Sequence, residues 1–430
     1  MSPLPLARAA ALAIMLLALG QAEADEARWA SPTLAFHGFG TVGVVRSDQD
    51  HADVVSNVFL QPNGAGGTDR WSAAVDSKIG GQLDMRFQPA WSAVIQVIAK
   101  HRYDNSWTPE IEWANIKYQP TDRLSLRVGR TVAPIFMYSD TANVGYANPW
   151  IRGPQEIYSM VPITHLDGMD LSWGASLGHV SNTVQVSFGR NRFDAVDDTE
   201  ITGKNVLIVS NTLEYGALAL RLAYLAVDLT FDAPSLDGLT EGLSGLGDTL
   251  AGSGFTVAGT RARALGRRSA IDDAPLEIFN AGLRFTPGNW LLLTEWARIS
   301  DAGMLPRTDA WYALSGYAFG AAMPYLAIAE VNARSPAQVG VPLAGLPAGL
   351  AGAAQALNAG LASALTLAAP AQTSLTLGLR WDLNDNAALK VEYQHVRLDA
   401  RSSGRFGNLQ AGWKPGGDAD LVSVALDFVF

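Results

Sequence analysis

The chain has 430 residues, no cysteine, 41 acidic against 31 basic side chains and a formal net charge of −10. The missing cysteines exclude disulfide scaffolds, thiol nucleophiles and cysteine-ligated zinc, and the negative sign excludes a general nucleic-acid binder, which needs a basic face. Hydrophobic residues make up 48%, enough for a packed fold, and 42 glycines with 21 prolines announce frequent turns.

Residues 1–24 read as an export leader. Arg8 precedes an apolar run from Ala9 to Leu19, followed by Ala22-Glu23-Ala24. A basic start, a core of about ten apolar residues and a small-residue end are the layout of a secretory signal peptide, too short to span a bilayer. Cleavage after Ala24 leaves residues 25–430, expected to form one unit.

The repeating unit of that unit is an alternating strand. In 78–87, Ile79, Leu83, Met85 and Phe87 share one parity and Lys78, Gln82, Asp84 and Arg86 the other. Period two means one greasy and one wet face. The pattern recurs in 374–382 and 388–394, joined by the turn residues Asn384-Asp385-Asn386. Strands are predicted near 34–45, 76–88, 91–102, 110–118, 123–130, 167–177, 183–190, 204–215, 217–228, 276–285, 290–299, 309–319, 323–331, 374–383, 388–396 and 419–430, sixteen in all. Short turns alternate with longer connectors: 46–75, 103–109, 131–166, 191–203, 229–275, 300–308, 332–373 and 397–418.

Strands of about ten residues, short turns at one end and long loops at the other describe an all-β, transmembrane, antiparallel up-and-down barrel. A soluble sandwich would use strands nearer five or six residues. The chain ends on Val422, Val424, Leu426, Phe428 and Phe430 at alternate positions, a last strand with a continuous lipid face and a terminal aromatic.

In the fifth strand, Leu124-Ser-Leu-Arg-Val-Gly-Arg130 leads into a long connector beginning Thr131-Val-Ala-Pro134. With the opening Leu34–Gly40 and the ending Val424–Phe430, this resembles the Gram-negative outer-membrane porin family. The resemblance implies a sixteen-stranded diffusion channel in the outer membrane, a homotrimer, with the third loop (131–166) folded inward as a constriction. It also implies contact with outer-membrane lipid and lipopolysaccharide, and delivery by the assembly machinery that reads the last strand. Loops two and six are short and loops five and seven unusually long, so the solute does not carry over.

Selectivity in such a pore comes from charges lining its narrowest part. The polar parity carries Arg86, then Lys100 and Arg102, Arg127, Arg221, Arg284, and Arg380 with Lys390 and Glu392. The third loop carries Asp140, Arg152 and Glu156 among Tyr138, Tyr146, Trp150 and Tyr158. The expectation is that Asp140 and Glu156 face a basic ladder of Arg86, Lys100, Arg102 and Arg127, favouring small anionic or neutral hydrophilic solutes. In 229–275 and 332–373, helices are expected within the loops: a leucine stripe at Leu236, Leu239, Leu243, Leu246 and Leu250, and an Ala/Leu/Gly stretch, Ala348–Ala369. These pack on each other, cap the mouth or enter it.

Two other readings stay open. A barrel hydrolase needs a base held beside a nucleophile, yet none of the six histidines falls in a nucleophile, metal or phosphate-binding motif, so no enzyme, metal or cofactor is expected. An adhesin or receptor with a filled lumen would present loops five and seven as its binding surface.

Overall fold

The computed structural model describes residues 32–333 and 340–430; the expected leader, 1–24, lies outside them. Its main sheet has seventeen strands, of which the two-residue Trp71–Ser72 is a stub on the first; the other sixteen close into an antiparallel up-and-down barrel. These staves are β1 Thr33–Ser47, β2 Lys78–Gln88, β3 Trp91–Lys100, β4 Glu110–Thr121, β5 Leu124–Val132, β6 His165–Leu177, β7 Val180–Ala195 and β8 Thr199–Tyr215. The circuit continues with β9 Leu218–Asp232, β10 Ala274–Phe285, β11 Trp290–Ile299, β12 Thr308–Tyr317, β13 Ala322–Ala333, β14 Ala371–Asn384, β15 Ala387–Leu398 and β16 Gly417–Val429. Each pairs with the next, and β1 closes the ring by pairing with β16 from Phe39↔Val429 to Ser47↔Leu421.

The alternation in the sequence becomes the two faces of the wall. Leu375, Leu377, Leu379 and Trp381 of β14 and Val422, Val424 and Leu426 of β16 stand exposed outside, Leu377 at 54%. Lys390, Glu392, Ser423 and Asp427 on the opposite parity are buried inside. Exposed leucine and valine at every second position suits acyl chains and not water, and closure leaves no sheet edge for lipid to meet.

At the seam, Gly38 and Gly40 make room for the C-terminal aromatics. A Cβ on Gly38 would fall 2.1 Å from the Phe430 ring and one on Gly40 2.5 Å from the Phe428 ring. The Gly38 and Phe430 backbones exchange hydrogen bonds of 2.7 and 2.9 Å, which fixes the last residue against the first strand.

Tight turns at one end alternate with connectors at the other, as the sequence implies, with one correction. Residues 191–203 are not a long loop: β7 runs to Ala195 and β8 begins at Thr199. Register shifts at Gly189/Asn191 and Lys204/Leu207 break the two-residue period there, and Asp197 and Asp198 turn the chain at positive φ.

The helices all lie in loops: α1 Gln155–Tyr158 in loop three, α2 Pro234–Gly252 and α3 Thr256–Ser269 in loop five, and α4 Ala348–Ala368 in loop seven. The leucine stripe of α2 buries Leu239, Leu243, Leu246 and Leu250. Gly242 of α2 lies against Leu357 of α4, and Gly247 against Arg263 of α3. This apolar core continues downward to Ile271, Ile278 and Val331, so the helices sit over the β8–β13 side of the barrel. Helix α4 is long and apolar enough to cross a membrane by length and composition, yet Ala354, Leu361 and Leu365 are buried among the loop helices. Loops one and eight meet in a small sheet of Asp53–Val54, Ala65–Gly66 and Phe406–Gly407.

Candidate functional site

The interior is divided into two unlike halves. Along β9–β13 the inward parity is largely apolar, with Leu225, Ile278, Leu293, Tyr312, Leu314 and Ala327 buried around a few polar side chains. Against them lies loop three, 133–164, through Ile135, Phe136, Trp150, Ile157 and Met160. Trp150 meets Tyr138 and Tyr312 edge-on, with centroids 5.0 and 5.8 Å apart. The third loop is therefore inside the barrel, plated onto one wall.

Buried polar side chains of that wall and of the adjoining β14 and β15 fasten the loop backbone, because a loop drawn inside must have its amides and carbonyls satisfied. Arg221 donates to the Pro134 carbonyl at 2.9 Å. Glu295 accepts from the Met137 amide at 2.9 Å and from the hydroxyls of Tyr158 and Tyr312. Lys390, wholly buried, donates to the carbonyls of Gly145, Asn148 and Trp150 at 2.8, 2.8 and 2.9 Å and pairs with Asp427 at 2.7 Å. Arg380 donates to the Tyr146 and Asn148 carbonyls and lies over the Tyr146 ring. Glu392 accepts from the Ile151 amide at 2.6 Å and from the Tyr325 hydroxyl. Tyr325, Gly378 and Glu392 share one register row, and the bare Gly378 lets the tyrosine cross β14 to reach β15.

These contacts correct the sequence-based picture of a ring of solvated charges. Arg221, Arg380, Lys390 and Glu392 hold the loop and do not line open space. Arg152 pairs with Asp76 at 3.1 Å and bonds Ser423, and burial pushes the Asp76 carboxyl up against the pull of Arg152. Glu156 does not face the basic wall: it is fully buried and accepts from Gln372 at 2.7 Å. Above it in loop eight, burial lowers the Arg405 guanidinium to about 10, with the Glu156 charge opposing the shift.

The other half of the lumen, along β1–β6, is open. A cavity of about 500 Å³ is lined by Gln82, Asp84, Arg86, Trp113, Asn115, Lys117 and Arg127, among others. A second, of about 460 Å³, shares Gln82 and Trp113 with the first and is bounded also by His37, Gln96 and by Asp140 and Val144 of loop three. The expected basic ladder is only partly present. Lys100 and Arg102 both turn to Glu110, at 3.1 and 3.7 Å, and Arg127 is pinned by Asp170 at 2.8 Å. Among the described residues Arg86 makes no hydrogen bond or ion pair, and neither does Lys117, which the sequence reading passed over although it shares its parity with Asn115. Asp140 borders the same open half. Arg284 lies apart, 3.7 Å from Glu214 beside the 286–289 turn.

The ladder of registers places these groups. Arg86, Ser92, Lys117, Arg127 and Asp170 form one continuous row across β2–β6. Among the described residues no cluster of histidines and carboxylates has the makings of a metal site.

No protein-family model matches the sequence, and no curated protein matches it. Similar architectures occur among solved structures. Salmonella typhi OmpF, in a complex with daunomycin, aligns at 11% identity over 92% of this chain and 97% of its own, with a TM-score of 0.54. The anion-selective porin from Comamonas acidovorans aligns at 11% identity over 93% and 100%, TM-score 0.51. The fold is that of the outer-membrane porins. The outer membrane channel DcaP of Acinetobacter baumannii has it too, at 13% identity over 95% and 100%, TM-score 0.50. At such identities the likeness is one of architecture, and the porin fold here carries its own interior chemistry.

Proposed function

We propose that the protein is an outer-membrane porin through which small hydrophilic solutes diffuse, with a preference for anions. The observation that carries this reading is the half-filled lumen: loop three is plated on β9–β15, while the β1–β6 side keeps polar-lined space. Arg86, Lys117 and Arg127 stand against Asp84 and Asp170 on that wall, which leaves it net positive, and selectivity follows the local field at the narrow part rather than the chain's net −10.

The leader 1–24 directs export, the aromatic C-terminal strand delivers the chain to the assembly machinery, and three copies associate in a bilayer of outer-membrane lipid and lipopolysaccharide. Planar-bilayer recording under a salt gradient tests the channel: stepwise currents with an anion-selective reversal potential are expected. Arg86→Ala with Lys117→Ala should move that potential toward zero or invert it. A silent protein, or a reversal potential indifferent to both substitutions, refutes the proposal.

A further inference from the structure

Three register rows cross the open wall from β2, two of them as far as β5, and they differ in chemistry. The row toward the tight turns holds the cations Arg86, Lys117 and Arg127. The row toward the loops is Gln82, Gln96 and Trp113, with the two glutamines hydrogen-bonded at 2.9 Å. Between them runs a row that starts with Asp84 and continues through the smaller Val94 and Asn115 to the bare Gly129 opposite Gly168. Two rows are separated by four residues along a strand, about 13 Å. Long side chains on the outer rows, and little bulk on the middle one beyond Asp84, leave the hollow of about 500 Å³ that all three line.

Trp113 reaches this hollow and also lines the neighbouring cavity behind Asp140, so a solute passing from one to the other moves along the indole. Asp84, the carboxylate among the hollow's described lining residues, stands on the middle row and is engaged toward the loop side, by Gln82 at 2.9 Å and His37 at 3.7 Å. What the hollow offers is thus polar in one place and flat and apolar in another. Arg86 and Lys117, without partners among the described residues, supply charge at one end, and an indole lies at the other.

We infer that this hollow is a solute subsite for small aromatic carboxylates, with the carboxylate on Arg86 and Lys117 and the ring against Trp113. The inference rests on the channel reading and names its solute class. A carboxylate alone meets only the cation row. A carboxylate carrying a flat hydrocarbon face meets both rows, since ring pairing adds attraction beyond buried area. No bond forms or breaks; the site lengthens the dwell of one class of anion on its way through.

The test uses the full-length mature protein in planar bilayers and compares benzoate with acetate as blockers of the chloride current. Benzoate should half-block at a concentration about tenfold below that of acetate. Trp113→Ala should bring the two within about twofold, and Trp113→Phe should restore most of the difference. Arg86→Gln should weaken both anions together. Equal block by benzoate and acetate in the unsubstituted protein, or a preference that survives Trp113→Ala, overturns the subsite. Equilibrium dialysis of benzoate against the detergent-solubilised protein reads the same subsite without current. A silent bilayer overturns the channel reading, and the dialysis decides the subsite in either case.

Discussion

Replacing Lys390 by methionine removes the side chain that the fold invests in most heavily. Its ammonium satisfies three loop-three carbonyls at 2.8–2.9 Å and the Asp427 carboxylate at 2.7 Å, all out of contact with water. Methionine fills similar volume, so the change is one of charge and hydrogen bonding. Breaking a buried pair by removing one partner costs about 3–5 kcal/mol, because the other charge stays behind uncompensated. The loss falls on loop docking and not on the barrel, whose strand ladders do not use this side chain. A loss of that size shifts the docked-to-free balance of residues 145–150 on the order of a thousandfold. Limited proteolysis should then cut loop three while the strands stay protected, and single-channel current should become larger and noisier. Asp427→Leu combined with Lys390→Met removes both charges and should be milder than Lys390→Met alone. Unchanged conductance, unchanged cleavage and simple additivity of the two substitutions would refute the clamp.

Further outcomes follow from the same geometry. Leu377→Lys, at the middle of β14 on the outer face, should destabilise the folded barrel by about 2–4 kcal/mol, read by urea unfolding in lipid vesicles, whereas Ser92→Lys inside the cavity should leave folding intact and strengthen anion selectivity. Gly378→Ala puts a methyl within 2.0 Å of the Tyr325 ring; it should displace the tyrosine from Glu392 and cost about 1–3 kcal/mol by overpacking. Glu295→Gln swaps an acceptor of four donors, the Asn280 amide included, for a group that must itself donate, so one of those donors loses its partner; about 1–3 kcal/mol of loop stability should go with it, seen as faster hydrogen exchange at Met137.

The barrel was legible because its code is local. Alternation over ten residues needs no knowledge of the partner strand, and all sixteen staves stand where Ile79–Phe87 or Leu375–Trp381 suggest they should. Legibility failed where the period failed: bulges beside Asn191 and Asn205 hid the end of β7 and the start of β8. In β9 both parities are apolar, Leu220 and Leu222 outside and Ala223 and Leu225 inside, and that run already carried notice that something greasy packs within. The site was harder to read because parity places a side chain inside without saying what it meets there. Lys390 and Arg86 look alike in sequence, yet one is spent on loop carbonyls and the other has no partner among the described residues. Asp170 and Glu110, which neutralise Arg127, Lys100 and Arg102, come from neighbouring strands whose register the sequence does not specify.

An open passage along β1–β6 is bounded by an outward-facing greasy surface, and the absence of native cysteine allows both to be probed at adjacent positions of one strand. Cysteines are introduced singly at Asn115, which lines the cavity, and at Ile116, which faces outward, and a membrane-impermeant, charged thiol reagent is added during single-channel recording. An open passage predicts stepwise loss of current with Asn115→Cys and none with Ile116→Cys. Current that ignores modification of Asn115→Cys, or that falls with Ile116→Cys instead, contradicts it.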